Sequence, residues 1–315
     1  WVHDTDKVGR DAGELAGTSP IGVAATNDAD ALLALAPDCV CYTAHGESRV
    51  KACIDDFARM LERGIHVVTT SVPGLVHPAG FDTEHVERLE AAARAGGASL
   101  YASGIEPGFA ADQLALVLAT LTHRVRQVRT QEIFTYKDYP VAFTMFEVFG
   151  FGKPPEHRCI MELPGVQASA WAPPVRMVAD HLGVRLDRIR ETYEKRVTEE
   201  RLEVAAGVIE PGTVGAVRFE TIGEAHGRDV VVIEHVNRMH DAIAPDWPTA
   251  PRDGAYRLHF DADPELTCEL YLGKPGTFNA GGMIASTTRV VKASPYGAAA
   301  GPGPVTPRAP PPTRP

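Results

Sequence analysis

Along residues 1–122 the apolar positions alternate between helical spacing and short unbroken runs. From Ser48 to Arg63, Val50, Cys53, Ile54, Phe57, Met60 and Leu61 share one helical face, and Gly64 supplies a helix stop. Phe81 to Ala95 repeats the pattern with Val86, Leu89 and Ala93 inward, ending at Gly96-Gly97, and Ala29 to Leu35 is a short amphipathic helix capped by Asn27 or Asp28. Between these lie DCVCYTA (38–44), IHVVTT (65–70) and ASLYASG (98–104), which read as strands; the β-branched run of the second suits burial on both faces. IEPGFAADQLALVLATL (105–121) reads as a turn into a long apolar helix. Strand–helix units in succession predict a parallel sheet with right-handed crossovers.

After Thr122 the period changes to two. RVRQVRTQEIF (124–134), VGAVRFETIGEA (214–225) and DVVVIEHVNRMHDA (229–242) alternate, the last two joined by His226-Gly227-Arg228. GAYRLHFDA (254–262) and ELTCELYLG (265–273) form a further antiparallel pair, with helical pieces at Val141–Phe149 and Val175–Leu182. The expected class is α/β: a Rossmann-type parallel sheet over residues 1–122 and an α+β domain on a mixed or antiparallel sheet over 123–279. A helix at 280–293 can return to the first domain, and the Pro/Gly-rich stretch 294–315 is expected to be disordered.

With 315 residues, two domains are the prior. A net charge of −10 without a basic stripe argues against nucleic acid, and no apolar run approaches the ~20 residues that span a bilayer. Five scattered cysteines without a CxxC pair read as reduced core thiols of a cytoplasmic protein and give no metal site.

In parallel sheets ligands gather beyond the carboxyl ends of the strands, here Thr43–Glu47, Thr69–Gly74 and Ser103–Gly108. Upstream, VGRDAGELAG (Val8–Gly17) reads as the loop and short turn after the second strand of a dinucleotide-binding domain, with Val2-His3-Asp4 ending that strand. Basic groups there pair with the 2′-phosphate of NADP, and an acid accepts from the 2′-hydroxyl of NAD. His3, Lys7 and Arg10 lean towards NADP and Asp4 towards NAD, so the cofactor is NADP or NAD; a polar surface loop is the plain alternative. Only WVHDTDK precedes this run, so the chain reads as N-terminally truncated, with the first strand, glycine-rich loop and first helix missing and nucleotide binding weakened accordingly.

At the strand ends, Thr43, Ala44, Thr69, Thr70, Ser71, Ile105 and Pro107 are candidate nicotinamide contacts, because small or hydroxyl-bearing residues let a ring approach the backbone. Thr69 and Thr70 can bond its carboxamide. Glu106 and His45 are the carboxylate and imidazole placed to move a proton. Each has a plain alternative: Glu106 as a helix N-terminal acid, His45 as a surface-loop residue. In the second domain, Glu234, Val236, Arg238 and His240 share one strand face, with His235, Asn237 and Met239 on the other, a cluster facing either substrate or water. HExxH, GxSxG and Walker patterns are absent.

DAGELAG followed by GV, the VVTT strand and the SG-x-x-PGF turn resemble the dihydrodipicolinate reductase superfamily over about residues 1–122. GIEPGFAAD and VVIEHVNRMHDAIAPDWP are closer to its 2,4-diaminopentanoate dehydrogenase branch. The resemblance implies hydride transfer between a nicotinamide and an imine, amine or carbonyl in the interdomain cleft. It also implies a small-molecule substrate and a homo-oligomer, dimer or tetramer. Where the reductase carries HHxxxK, this chain has EIFTYKDYP, which leaves Lys137 as the catalytic candidate of that stretch. Where the diamine branch places glutamate after TT, this chain has Ser71-Val72-Pro73, so Glu106 is the acid available to replace it. A homologue that binds nucleotide without turnover is the alternative in another class.

Overall fold

A computed structural model describes residues 1–46, 48–274 and 276–305; Glu47, in the first strand-end window, and 306–315 lie outside the described residues. Two short helices, α1 (Ala12–Leu15) and α2 (Ala29–Leu33), precede the repeating units β1 (Cys39–Tyr42), α3 (Val50–Glu62), β2 (His66–Thr69), α4 (Thr83–Gly96), β3 (Ser99–Ala102) and α5 (Gln113–Ala119). β1, β2 and β3 pair in parallel, Tyr42 opposite Thr69 and Thr69 opposite Ala102. Cys53, Ile54, Phe57, Met60 and Leu61 of α3 are buried, as their spacing predicts, and pack with Leu75, Leu89 and Leu100. Gly64 takes φ +76, the left-handed stop.

The second sheet contains β4 (His123–Thr135), β5 (Arg188–Val197), β8 (Val214–Ala225), β9 (Arg228–Arg238), β10 (Gly254–Asp263) and β11 (Leu266–Leu270) in the order β11-β10-β4-β9-β8-β5, with β6 (Leu202–Val204) and β7 (Gly207–Ile209) forming a separate hairpin. β4 and β9 are parallel and the other neighbours antiparallel. α5 and α6 (Val166–His181) cover its inner face: Leu116, Val175 and Val178 meet Val128, Ile233 and Phe260. Trp247 and Ala244 cover part of the outer face, over Ile133, Ala216 and Val236. α7 (Phe278–Ala299) returns to pack against β1, β2 and β3.

Several expectations change. Val2-His3-Asp4 forms no strand; the Val2 N–H reaches the Thr26 carbonyl at 2.9 Å, a single bond where a strand needs a ladder. Within Val8–Gly17 the order comes from Asp11, whose carboxylate accepts from the backbone N–H groups of Gly13, Glu14, Ile21 and Gly22. The helix after β3 spans only Gln113–Ala119, because the Glu106-containing turn uses the preceding residues. α6 begins well before the predicted Val175: Pro173 and Pro174 mask its period yet sit inside it. Each proline frees a carbonyl one turn earlier, and the one at Ser169 packs on Gly74, where a Cβ would lie 2.6 Å from that oxygen. Of the stretch 294–315, residues 306–315 lie outside the described residues. α7 runs to Ala299, and β12 (Gly303–Val305) adds a fourth parallel strand beside β3. Apolar periodicity is lost there, but backbone pairing supplies the order.

All five cysteines are free, but only Cys53 and Cys159 are buried; Cys41 is exposed. Among the described residues no helix is long and apolar enough to cross a membrane, and no group of three His, Cys, Asp or Glu residues could hold a metal.

Candidate active site

The carboxyl ends of β1–β3 open on a cleft of about 610 Å³. Thr43, Thr69, Thr70, Ile105, Glu106 and Pro107 line it from the parallel sheet, Glu132, Tyr136 and Tyr256 from the larger sheet, and Ser286 and Thr287 from α7. Thr69 is fully buried, its hydroxyl accepting from Ser71 N–H at 2.9 Å; the Ser71 hydroxyl donates to the Ala44 carbonyl. Gly46 permits this approach of loops, since a Cβ there would lie 1.7 Å from the Ser71 carbonyl oxygen.

A second cleft, about 760 Å³, runs beside β1 and shares Cys41 and Thr43 with the first. His3, Lys7, Ala44 and His45 line it; Arg10 lines neither cleft. His3 contacts the Tyr42 hydroxyl at 3.1 Å and Arg49 at 3.4 Å, while Lys7 pairs with Asp4 at 3.6 Å. Burial and the Arg49 cation lower the His3 pKa, with Asp56 opposing. His45 is an exposed rim residue, its ring 5.4 Å from that of Phe143. Lys137 is exposed, lines neither cleft, and enters the fold through its carbonyl, which accepts from Ala205 N–H at 2.8 Å.

Behind the main cleft lies an inner chamber of about 260 Å³. Glu132 and His235 line it from one transverse row of the larger sheet, in which Tyr256, Glu132, His235, Phe219 and Tyr193 stand side by side on five adjacent strands. The His235 ring stacks on Phe219 at 4.4 Å between centroids and meets the edge of Trp171 at 4.7 Å. Glu106 enters from the β3 turn. Its Oε2 accepts from Trp171 Nε1 at 3.1 Å and lies 3.7 Å from His235 Nε2, with both side chains almost completely buried. Glu132 Oε1 accepts from the Tyr136 hydroxyl at 2.6 Å and Asn237 Nδ2 at 3.2 Å.

Burial raises the Glu132 pKa; His235 offsets part of that and the Glu106 charge adds to it. Burial alone would lower His235, but the carboxylates of Glu106, Glu132 and Glu234, Glu106 foremost, together outweigh it and raise the imidazole above its ordinary value. Glu106 Oε1 and His235 Nδ1 are buried and have no hydrogen-bond partner among the described residues. Such atoms are costly unless something else satisfies them.

Glu132 and His235 are the members sequence reasoning did not single out as a pair. Strand alternation separates His235 from Glu234, but only the covering by α6 shows which face meets the cleft. The other face takes Glu234 into contacts with Arg129, Arg218 and Gln131.

A parallel sheet opens on a cleft and a second sheet presents a buried acid–imidazole cluster to it; with this α/β architecture, the sequence relatives make the protein an oxidoreductase acting on amine groups. The chain belongs to the 2,4-diaminopentanoate dehydrogenase family, whose C-terminal domain profile matches residues 109–295. An amine dehydrogenase of Streptomyces virginiae is 36% identical over 307 residues, covering 96% of this chain and 85% of that protein. The structure of an amine dehydrogenase from Mycobacterium smegmatis superposes with a TM-score of 0.71 at 22% identity, over 96% of this chain and 85% of the other.

Proposed function

We propose that this chain is an NAD(P)-dependent amine dehydrogenase acting on small primary amines, with Glu106 as its proton-transfer residue. The carrying observation is the buried, unpartnered Glu106 Oε1 beside His235 in a chamber continuous with the strand-end cleft. The cleft residues suit a nicotinamide: Thr43, Thr69, Thr70 and the Ser103–Gly104 backbone offer hydroxyl and amide partners at the strand ends. The gap near Gly282, where a Cβ would come within 3.4 Å of the Tyr256 hydroxyl, keeps the α7 wall open. When bound, the nicotinamide supplies hydride acceptance and donation.

The chain's own groups then have distinct tasks. Glu106 Oε1 takes an N–H proton as the amine gives up its hydride and becomes an imine, and returns that proton to the same nitrogen; it then takes a proton from the water that adds to the imine carbon and passes it to the nitrogen that leaves as ammonia, the last carbonyl proton going to solvent. Trp171 holds the other carboxylate oxygen in place. His235 stands beside the Glu106 carboxylate at 3.7 Å, and Glu132 with Tyr136 and Asn237 forms a fixed polar wall. Val72, Pro73, Val148, Phe149 and Trp171 exclude water from the substrate's body. Among the described residues neither Lys nor Arg lines this chamber, so it favours an amine without an acid group over an amino acid. His45 at the rim and Lys137 outside have no part in this reading.

Deuterium transfer from 4-deuterated NADPH or NADH to imines of small ketones with ammonium, and the reverse oxidation of the matching amines, tests the proposal. Label in the amine carbon is the expected result. Clear nucleotide binding without transfer across the panel overturns it in favour of a binding homologue without turnover.

A further inference from the structure

The turn that carries Glu106 is held from outside its own domain layer. Internally, Ser103 Oγ donates to the Gly108 carbonyl at 3.3 Å, and the Asp112 carboxylate accepts from Gly108 N–H at 2.7 Å and Gln113 N–H at 2.5 Å. Gly108 sits at φ +124, where a Cβ would lie 2.2 Å from Gly104 N. These bonds close the turn but leave it attached to the sheet through little besides Ser103 N–H to the Thr69 carbonyl, 3.0 Å.

Trp171 holds the Glu106 carboxylate, and α7 supplies further attachments to the turn's backbone and side chains. Ser286 Oγ accepts from Ile105 N–H at 3.0 Å, one residue before Glu106. One helical turn on, Arg289 Nε donates to Ser103 Oγ at 3.0 Å and Nη2 to Gln113 Oε1 at 2.8 Å, so one guanidinium bridges both ends of the turn. The same group lies 4.8 Å from the centroid of the Phe109 ring in the turn's middle. Arg289 forms no ion pair with a carboxylate among the described residues; its donors are used on the turn and on the Tyr101 hydroxyl, 3.4 Å away. Lysine could not reproduce this, since a compact ammonium lacks the planar fork.

We propose that Arg289 and Ser286 are positioning residues, a brace on α7 that fixes the Glu106 turn over the chamber and so sets the rate of proton transfer. The proposal rests on the reading of Glu106 as the proton-transfer residue. Because α7 also lines the cleft through Met283, Ser286 and Thr287, the brace joins the wall beside the cofactor position to the acid that serves it. A displacement well under a helical turn is enough to lower turnover strongly without emptying the cleft.

The test combines amide hydrogen exchange with kinetics on the full chain. In S286A and R289Q, exchange at Ile105 and Gly108 should rise about tenfold or more, the scale of one lost hydrogen bond. kcat for 2-aminobutane with NADP⁺ should fall about tenfold or more while the nucleotide KM stays within about twofold. R289K should recover only part of the loss. In an E106Q background R289Q should add little, because the two act as one unit. Unchanged exchange at Ile105 and Gly108 in both variants overturns the brace, as does an R289Q loss of the same factor with and without Glu106. A fully active E106Q with the exchange change intact keeps the mechanical brace and removes the proton-transfer reading.

Discussion

The two faces of the larger sheet each bury a glutamate, one register position apart, and treat it in opposite ways. On the outer face, Glu234 accepts from Arg129 at 2.5 Å, Arg218 at 2.7 Å and Gln131 at 2.8 Å. Burial alone would raise its pKa, but these partners outweigh burial and hold the carboxyl below its usual range. On the inner face, Glu132 has a tyrosine, an asparagine, a histidine and a second carboxylate nearby, and its pKa rises. The outer arrangement fixes a charge that never needs to change. The inner one sets Glu132 beside a second carboxylate and an imidazole, with no guanidinium on it among the described residues, in the wall of the chamber that Glu106 enters. Two residues of one type on adjacent strands are therefore held in opposite ways according to which layer covers them.

The largest expected effect breaks the outer network. E234A removes the buried acceptor of Arg129, Arg218 and Gln131, leaving the two arginines only the more exposed Glu220 in common, and chemical denaturation should show a loss of about 3 kcal/mol. Turnover per folded molecule should stay close to wild type, because Glu234 points away from the chamber. A stability change below about 0.5 kcal/mol would mean that the two faces do not differ as described.

A smaller effect sharpens the inner face. The His235 pKa is raised in the folded state, so the stability from its attraction to Glu106 is fully present below the unfolded value, near 6.5, and is lost as pH rises through the folded value. Protonated His235 also holds Glu106 as an ion-pair partner, so amine oxidation should climb with pH over the same window. In H235N both the stability step and this limb of the rate profile should disappear. An identical rate profile in H235N separates the imidazole from the chemistry.

Much of this architecture is readable from the residues. The α3 face shows in Cys53, Ile54, Phe57, Met60 and Leu61, and the buried strand in Ile65–Thr70, because period and β-branching are local properties. The strand-end mouth follows from topology, which brings Thr69, Thr70 and Glu106 to one cleft. Lys137 shows the limit of motif correspondence: its sequence neighbourhood fits, yet the backbone turns it to solvent. The Glu132–His235 pairing depends on register between strands about a hundred residues apart, which alternation within either strand cannot supply. The β12 strand was hidden for another reason: a Gly-Pro-Val segment joins the sheet through its backbone, with no apolar period to announce it.

The most direct test compares E106Q with E234A in amine-dependent reduction of NADP⁺ and NAD⁺, with melting temperatures measured alongside. E106Q should lower kcat by about 100-fold or more with its melting temperature nearly unchanged, since a positioned general base contributes about 10²–10⁴-fold, while E234A shows the reverse. An E106Q enzyme that keeps turnover within threefold of wild type would contradict Glu106 as the proton-transfer residue.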